Sequence, residues 1–479
     1  MSVVEESGTA STEPLREGDY GTKVAAVEPG GIEKIPLGDR HGKPLNLFWT
    51  WASPNLEFAT IFCGVLATSV FGLTFWQAVA AIVLGNALSA LAQGVLSARG
   101  PVHGTPEMVL SRGAFGYWGN LLPAGLLAVT AGIGWFAVNS VSATLALNVL
   151  TGLPKLLCLV VVVLAQVGVA FFGHNLVHSF ERWAFPVLAV IFAISAVVIL
   201  SKSHPGAAAA PALIPGVGVF GGFTLTVATV FGYGSGWNPY ASDYTRYLAP
   251  SINRRAVGFW AGAGLFVSCA VLQIVGAASV TIGKSDSTNI TAAFTDWLPS
   301  TIANLTLLAI AIGGVSANVL NIYSGSMSFL TMGVKLPAHL RRALVATTFG
   351  VIGFVVAAFG LDDAGAKYEN FLLVIGYWIA PWLGIVLVDI WLRRGDRDGA
   401  VLGTELYNPR YANWAGPIAM VIGLAVSIGL FSNQAKFLGL VVRHTGSIGD
   451  LTPVVGLVLS AAVYAAIRIP AVRQAPAPL

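Results

Sequence analysis

Polar connectors divide the chain into a succession of apolar runs, each long enough to cross a bilayer, and that succession restricts it to a polytopic membrane fold. A spanning helix needs about 20 mostly apolar residues. Runs of this kind occupy 46–71, 74–98, 117–150, 153–173, 177–201, 217–239, 255–282, 298–325, 340–361, 368–391, 413–432 and 452–470. Backbone amides and carbonyls in hydrocarbon must be satisfied within the protein, which makes each run a helix. The expected class is therefore an all-α polytopic membrane protein with twelve transmembrane helices. Charged residues are 10% of the 479, against about a quarter in soluble domains.

The basic residues order these helices across the membrane. Alternate loops, grouped with the two termini, carry 20 of the 26 Lys and Arg residues, and the opposite loops carry 6. By the positive-inside rule both termini are cytoplasmic and the chain is a multi-pass protein of the cell membrane. The net charge of +4 then reflects topology; the expected partner is the lipid bilayer and no nucleic acid. Residues 1–45 are polar and lack an apolar signal core, so they read as a disordered cytoplasmic tail, with 471–479 as a second cytoplasmic tail. Nothing in the sequence specifies an oligomeric state.

Two runs are interrupted at membrane depth. The sixth ends in Gly232-Tyr-Gly-Ser-Gly-Trp-Asn-Pro-Tyr-Ala-Ser-Asp-Tyr-Thr-Arg-Tyr247, and the first contains Trp49-Thr-Trp-Ala-Ser-Pro-Asn-Leu-Glu57. Pro54 and Pro239 each remove an amide donor and disfavour helix in the residue before them. Backbone groups freed in this way cost several kcal/mol in lipid unless they line protein or a wet cavity. Matching breaks in corresponding segments point to an inverted-repeat transporter with its site at the breaks. The spacing predicts a 5+5 core over 46–395, with repeat one at about 46–202 and repeat two at about 217–392, followed by two additional helices within 396–470. Ordinary proline kinks are the competing reading.

Two further runs carry polar side chains in helical register. Trp135 and Asn139 are four apart, and Asn318 and Asn321 three apart with Ser316 nearby, so each set shares a helix face. An indole beside an amide suits a flat polar heterocycle, which needs stacking on its face and hydrogen bonds at its edge. Amides that only join helices to one another are the competing reading.

These segments resemble the nucleobase:cation symporter family, in particular its purine/cytosine permease branch. The resemblance spans roughly residues 45–395 and rests on Gly134-Trp-Phe-Ala-Val-Asn139, Gly236-Trp-Asn-Pro-Tyr-Ala-Ser-Asp-Tyr-Thr-Arg-Tyr247, Ser316-Ala-Asn-Val-Leu-Asn-Ile-Tyr-Ser324, and the stretch from Gly85-Asn86 through Gly104 to Ser111-Arg-Gly-Ala-Phe-Gly116. It implies a LeuT-like inverted-repeat fold and cation-coupled import of a nucleobase, with no cofactor and no enzymatic activity. By the same resemblance Trp135 and Trp237 are aromatic walls, Asn139, Asn318 and Asn321 read the ring edge, and Ser53 is a first-span contact; the break itself makes Gly236 the point where backbone can approach the ligand. For coupling, Ser316 matches one sodium-ligating hydroxyl, while Ala317 occupies a position where a second is often found. Proton-coupled members carry a glutamate in a motif resembling His178-Ser-Phe-Glu-Arg182, which makes Glu181 a candidate and favours H+ over Na+. Glu57, a carboxylate inside the first run, is a second candidate. Relatives sharing the framework carry hydantoin, allantoin, uracil, thiamine or pyridoxine-type rings, which are the alternative small-molecule substrates.

Other residues have structural readings. Cys63, Cys158 and Cys269 lie within runs and read as small buried side chains. Asp243 and Arg246, three apart, are expected to pair with each other. Trp76, Trp118, Trp183, Trp260, Trp297, Trp382, Trp391 and Trp414 fall near run ends and read as an interfacial belt. A membrane enzyme or channel is a remote alternative, because the sequence shows neither an acid/base or metal-ligand cluster within the runs nor a carbonyl-type selectivity filter.

Overall fold

The computed structural model describes residues 14–16, 31–170, 174–285, 287–334, 338–396 and 398–474, without the side chains of 170, 174, 177, 178, 180, 181, 338–343 and 471–474. Its regular structure is helical apart from a two-residue hairpin, Asn433–Gln434 with Phe437–Leu438. Among the described residues seven helices are long and apolar enough to cross a membrane: Phe75–His103, Leu121–Thr151, Arg182–Lys202, Arg254–Val280, Ser300–Thr331, Ala364–Leu392 and Thr452–Pro470. Four shorter apolar helices accompany them, Phe58–Ser69, Lys155–Val169, Leu344–Gly360 and Ala415–Phe431.

Several predicted runs fall short of full helices for a local reason. The 46–71 run divides into Asn46–Ala52 and Phe58–Ser69, joined by a 3₁₀ turn at Ser53–Asn55 and an extended Glu57. The 217–239 run is helical over Val219–Ser235, tightens into a 3₁₀ turn at Asn238–Tyr240, and resumes at Ala241–Thr245. Proline lies in each 3₁₀ turn, where its missing N–H costs least. Both interruptions expected from the sequence are therefore present.

Helices group into three packed sets. The two halves of the first broken segment, Phe75–Ser97, Val219–Ser235 and Arg254–Val280 pack together. Leu121–Thr151, Lys155–Ala170, Ser300–Thr331 and Ala338–Gly360 form a second set, and Ala364–Leu392, Ala415–Phe431 and Thr452–Gln474 a third. Lipid tails supply no hydrophobic drive between helices, so close backbone approach has to hold these sets. Phe58–Ser69 meets Arg254–Val280 in this way: a Cβ on Gly64 would lie 1.7 Å from the Gln273 carbonyl oxygen, and one on Gly276 1.9 Å from that of Ile61.

Residues 31–45 correct the expectation of a disordered tail over 1–45. They lie across the Arg-rich end of the molecule, with Ile35 fully buried and its amide donating to the Gly104 carbonyl at 2.9 Å. Arg40 Nη1 donates to Pro101 O at 2.8 Å, and the His41 amide to Tyr247 O at 2.6 Å. Arg246, completely buried, donates through Nη1 to Gly31 O at 2.9 Å. Polar composition does not prevent ordering here, because the strap's Gly31 carbonyl satisfies the buried Arg246 guanidinium, which nothing apolar could satisfy.

The tryptophan belt also needs one correction. Trp76, Trp118, Trp183, Trp391 and Trp414 are exposed, but Trp382 is fully buried and donates from Nε1 to Ser111 Oγ at 3.0 Å. All three cysteines are buried and free.

Replacing Gly276 with Leu should destabilise the fold by about 1–3 kcal/mol through overpacking. Gly168→Leu is the control, since nothing lies within 4 Å of its Cβ position. Thermal unfolding in detergent compares the two, and equal midpoints would refute the close helix contact.

Candidate substrate and coupling site

The two helix breaks meet. Trp237 Nε1 donates to Asn55 Oδ1 at 2.9 Å, joining the second break to the first across 182 residues of chain. Asn55 is itself held by its Nδ2 donating to Trp51 O at 2.6 Å. Around this bond lie edge-to-face aromatic contacts, Trp237 with Trp51 at 6.1 Å and with Tyr240 at 5.5 Å between ring centroids.

Trp135 approaches the same break from another helix. A π-type turn over Thr130–Trp135 interrupts the helix that resumes at Phe136, and such turns re-aim side chains at functional positions. The Trp135 indole packs edge-to-face on Tyr233 at 5.4 Å and on Phe371 at 5.1 Å. Its Nε1 lies 3.2 Å from where a Cβ on Gly236 would sit. Absence of a side chain at 236 thus lets an indole lie against the backbone of the break. Trp135 and Trp237 are 7% and 6% exposed and make ring contacts with different residues, Tyr233 and Phe371 against Trp51 and Tyr240.

The asparagines form one buried network, in which they differ. Asn318 Oδ1 accepts from Asn139 Nδ2 at 3.1 Å and from Asn321 Nδ2 at 3.3 Å, while Asn318 Nδ2 donates to Phe136 O at 2.8 Å and Ser140 Oγ at 3.2 Å. Asn318 therefore has every amide valence used inside the protein. Asn321 Oδ1 accepts from Tyr240 OH at 3.1 Å. Asn139 Oδ1 is buried with no hydrogen-bond partner, the one oxygen of these three amides left so.

Ser53 and Ser316, both fully buried, stand 3.5 Å apart Oγ to Oγ. A Cβ on Gly313 would come within 2.2 Å of the Leu56 carbonyl oxygen, so the Ser300–Thr331 helix rides directly on the first break. Oxygen donors gathered this way can receive a small cation. Ala317, also buried, adds no hydroxyl there.

Glu57 faces the same region. Its Oε2 accepts from the Ala59 amide at 2.7 Å, capping the Phe58–Ser69 helix, and its Oε1 accepts from Tyr233 OH at 3.0 Å. Tyr233 OH is 2.6 Å from Thr60 Oγ1, which donates to Asn55 O at 2.6 Å. No Lys, Arg or His pairs with Glu57 among the described residues. The Glu181 side chain lies outside the described residues.

Several participants escaped the sequence reading. Tyr233 and Tyr240 lie four residues before and three after Trp237, aromatic neighbours of the break that the sequence displays. A second amide cluster lies behind the break: Asn86 Nδ2 donates to Gln273 Oε1 at 2.6 Å, and Asn238 Nδ2 to Gln93 Oε1 at 3.0 Å. Asn86 and Gln93, seven apart, mark that face; nothing local in the sequence joins Gln273 to them. Asp243 Oδ1 accepts from the Glu107 amide at 2.9 Å, a partner 136 residues away that local spacing does not indicate. Ser242 Oγ donates to Glu107 Oε2 at 2.5 Å, and Arg99 stands 3.4 Å from Oε1. Burial pushes the Glu107 carboxyl above the ordinary carboxylate range, against the opposing pull of Arg99.

A sequence profile described as "Permease for cytosine/purines, uracil, thiamine, allantoin" matches residues 34–456. The chain belongs to this family. Its relatives include the putative purine-cytosine permease YxlA of Bacillus subtilis, 27% identical, with 94% of this chain and 97% of that one aligned. The purine-cytosine permease FCY2 of Saccharomyces cerevisiae is also 27% identical, over 88% and 82% of the two chains. Among solved structures, the nucleobase-cation-symport-1 transporter Mhp1, closed with bromovinylhydantoin bound, superposes with TM-score 0.66 at 19% identity over 93% and 95% of the chains. Like its family, the protein is a membrane transporter and not an enzyme, and LeuT-like folds are among its structural neighbours.

Asn318→Ala in this permease should cost about 1–2 kcal/mol, since it removes several intramembrane hydrogen bonds that each contribute modestly. Asn139→Ala should cost less. Paired thermal unfolding measurements read this difference, and an unchanged Asn318→Ala midpoint would remove that amide from the structural network.

Proposed function

We propose that the protein imports a purine or cytosine by cation symport, favouring H+ over Na+, through alternating access in a twelve-span, 5+5 inverted-repeat framework with both termini cytoplasmic. The observation that carries this reading is the Trp237–Asn55 bond joining the two helix breaks, together with Trp135 against Gly236 and the unpartnered buried oxygen of Asn139. A planar ring needs aromatic walls and an in-plane polar contact, and these residue types converge on one place. The helix sets lend support to the repeat: first with sixth and second with seventh share one set, third with eighth and fourth with ninth the other. Purine-cytosine permeases among the relatives favour these rings over hydantoin, allantoin, uracil, thiamine or pyridoxine types, although an allantoin permease of Bacillus subtilis is 23% identical.

In this mechanism the ring enters between Trp135 and Trp237, with Asn139 and Asn321 at its edge, Ser53 beside it and Gly236 giving backbone access. Asn318 holds Asn139 and Asn321 in place. A proton on Glu57 neutralises a carboxylate that lacks a basic partner and releases Tyr233 from an ionic acceptor, which couples protonation to the break. Glu181 is the second proton candidate. Ser53, Ser316 and the Leu56 carbonyl are the oxygen donors through which sodium would act instead, and Ala317 leaves that set one hydroxyl poorer.

Uptake of radiolabelled adenine, hypoxanthine, guanine and cytosine into cells lacking nucleobase transport tests the substrate class. Transport should exceed background for at least one of them, and none with protein present at the membrane overturns the proposal. Trp237→Ala should abolish binding, whereas Trp237→Phe should bind more weakly because it keeps the ring and loses the bond to Asn55. Uptake should rise as external pH falls and persist without sodium, and Glu57→Gln should flatten that pH dependence. A strict sodium requirement at every pH would remove the proton assignment.

A further inference from the structure

A groove of about 520 Å³ runs along the outside of the helix bundle, between Phe75–Ser97, Val219–Ser235, Ala364–Leu392 and the start of Thr452–Gln474. Its lining includes Leu88, Leu91, Val227, Phe231, Leu387 and Val458, almost all of it hydrocarbon. Leu91, Phe220 and Val458 are 69%, 62% and 59% exposed, so the groove opens sideways to whatever surrounds the protein. Water gains nothing in a cleft without polar partners, and an empty cleft forfeits dispersion contacts along its walls. At bilayer depth the material available to fill it is an acyl chain. From Leu84 to Val95 the groove extends about 16 Å at 1.5 Å per helical residue.

The groove leads into a basic pocket. Val95 lines the groove, while Ala98 and Val102, three and seven residues on, line a cavity of about 250 Å³ at the Arg-rich end. On the facing helix Leu387 continues in the same way to Ile390 and Arg394. This second cavity is bordered by Arg99, Arg254, Arg393 and Arg394. Arg99 is paired with Glu107, and Arg393 with Asp389 and Glu405. Asp396 accepts from the amides of Val401 and Leu402. No carboxylate pairs with Arg254 or Arg394 among the described residues. Arg394 is stacked 4.6 Å over the exposed Trp391 ring, and tryptophans of this kind lie at headgroup level.

We propose that the protein binds an anionic phospholipid of the cytoplasmic leaflet, with an acyl chain in this groove and the phosphate at Arg254 and Arg394. A basic pocket between transmembrane helices at the inner surface is the form such recognition takes, and guanidinium groups match phosphate oxygens. The leaflet rests on the orientation proposed above. Phe231, five residues before Gly236, lines the groove, so the lipid tail packs against the helix that carries the second break and couples lipid occupancy to the transport site.

The test uses the full chain in vesicles of neutral phosphatidylcholine containing a minor share of phosphatidylglycerol with a diazirine at its tail end. The probe is present in both leaflets, so the result does not depend on orientation. Cross-links mapped by mass spectrometry should fall several-fold more heavily on peptides bearing Val227–Phe231 and Val454–Val458 than on those bearing Val197 and Phe359, which are 67% and 76% exposed. Arg254→Ala/Arg394→Ala should bring groove labelling to the level of those controls, as should a phosphatidylcholine probe. Should that double variant fail to fold, Ala92→Phe narrows the groove without touching the arginines and should likewise lower the labelling. Equal labelling of groove and controls overturns the proposal, and so does equal labelling by the two probes, which leaves an ordinary annular lipid. A covalent dimer formed through Leu88→Cys would give the groove to a second copy of the chain and also overturn it.

Discussion

Two helices broken at membrane depth impose a requirement that organises the rest of this protein: the backbone and side-chain groups released there must find partners in a medium that offers none. The bond from Trp237 Nε1 to Asn55 Oδ1 meets part of it by making each break the partner of the other. Thr60 donating to Asn55 O and Glu57 accepting the Ala59 amide meet more of it within the first break. A structure held this way can be loosened locally without exposing backbone to lipid, because the broken ends face protein on every side.

Beside the breaks, polar residues divide between holding and offering. Asn318 has all its hydrogen-bonding capacity engaged, and through it two helices keep Asn139 and Asn321 in register. Asn139 keeps one oxygen free. Within this single network Asn318 joins helices with all of its polar atoms, whereas Asn139 retains one unpartnered acceptor. Near the first break Ser53 and Ser316 lie 3.5 Å apart, and Glu57 accepts from Tyr233 and caps a helix end.

At the Arg-rich end the chain turns its basic residues to several structural uses beyond orientation. Arg246 is consumed internally, donating to Gly31 O and to Tyr323 OH at 3.2 Å, which is why the strap over residues 31–45 is ordered. Arg112 donates to Leu406 O at 2.9 Å and Thr331 O at 2.7 Å, capping the C-terminal ends of two helices. Arg254 and Arg394 stand outside these arrangements at the foot of an apolar groove, which distinguishes them from the rest of the positive face.

What could be read from sequence was what depends on local chemistry. Apolar run lengths, the uneven distribution of Lys and Arg, and the Gly/Pro breaks at 53–55 and 236–239 are set by transfer energies and dihedral limits that act within a few residues. Trp135, Asn139, Trp237 and the Asn318/Asn321 pair were visible for the same reason, as bulky or polar side chains at helical spacing in apolar surroundings. Tertiary structure alone decided that Asn55 meets Trp237, that Tyr233 meets Glu57, that Gln273 meets Asn86, and that Asn318 is saturated while Asn139 is not. It also ordered residues 31–45 and buried Trp382. Each of these is a contact between residues far apart in the chain, whose energy appears only when the helices are packed, so no local spacing encodes it.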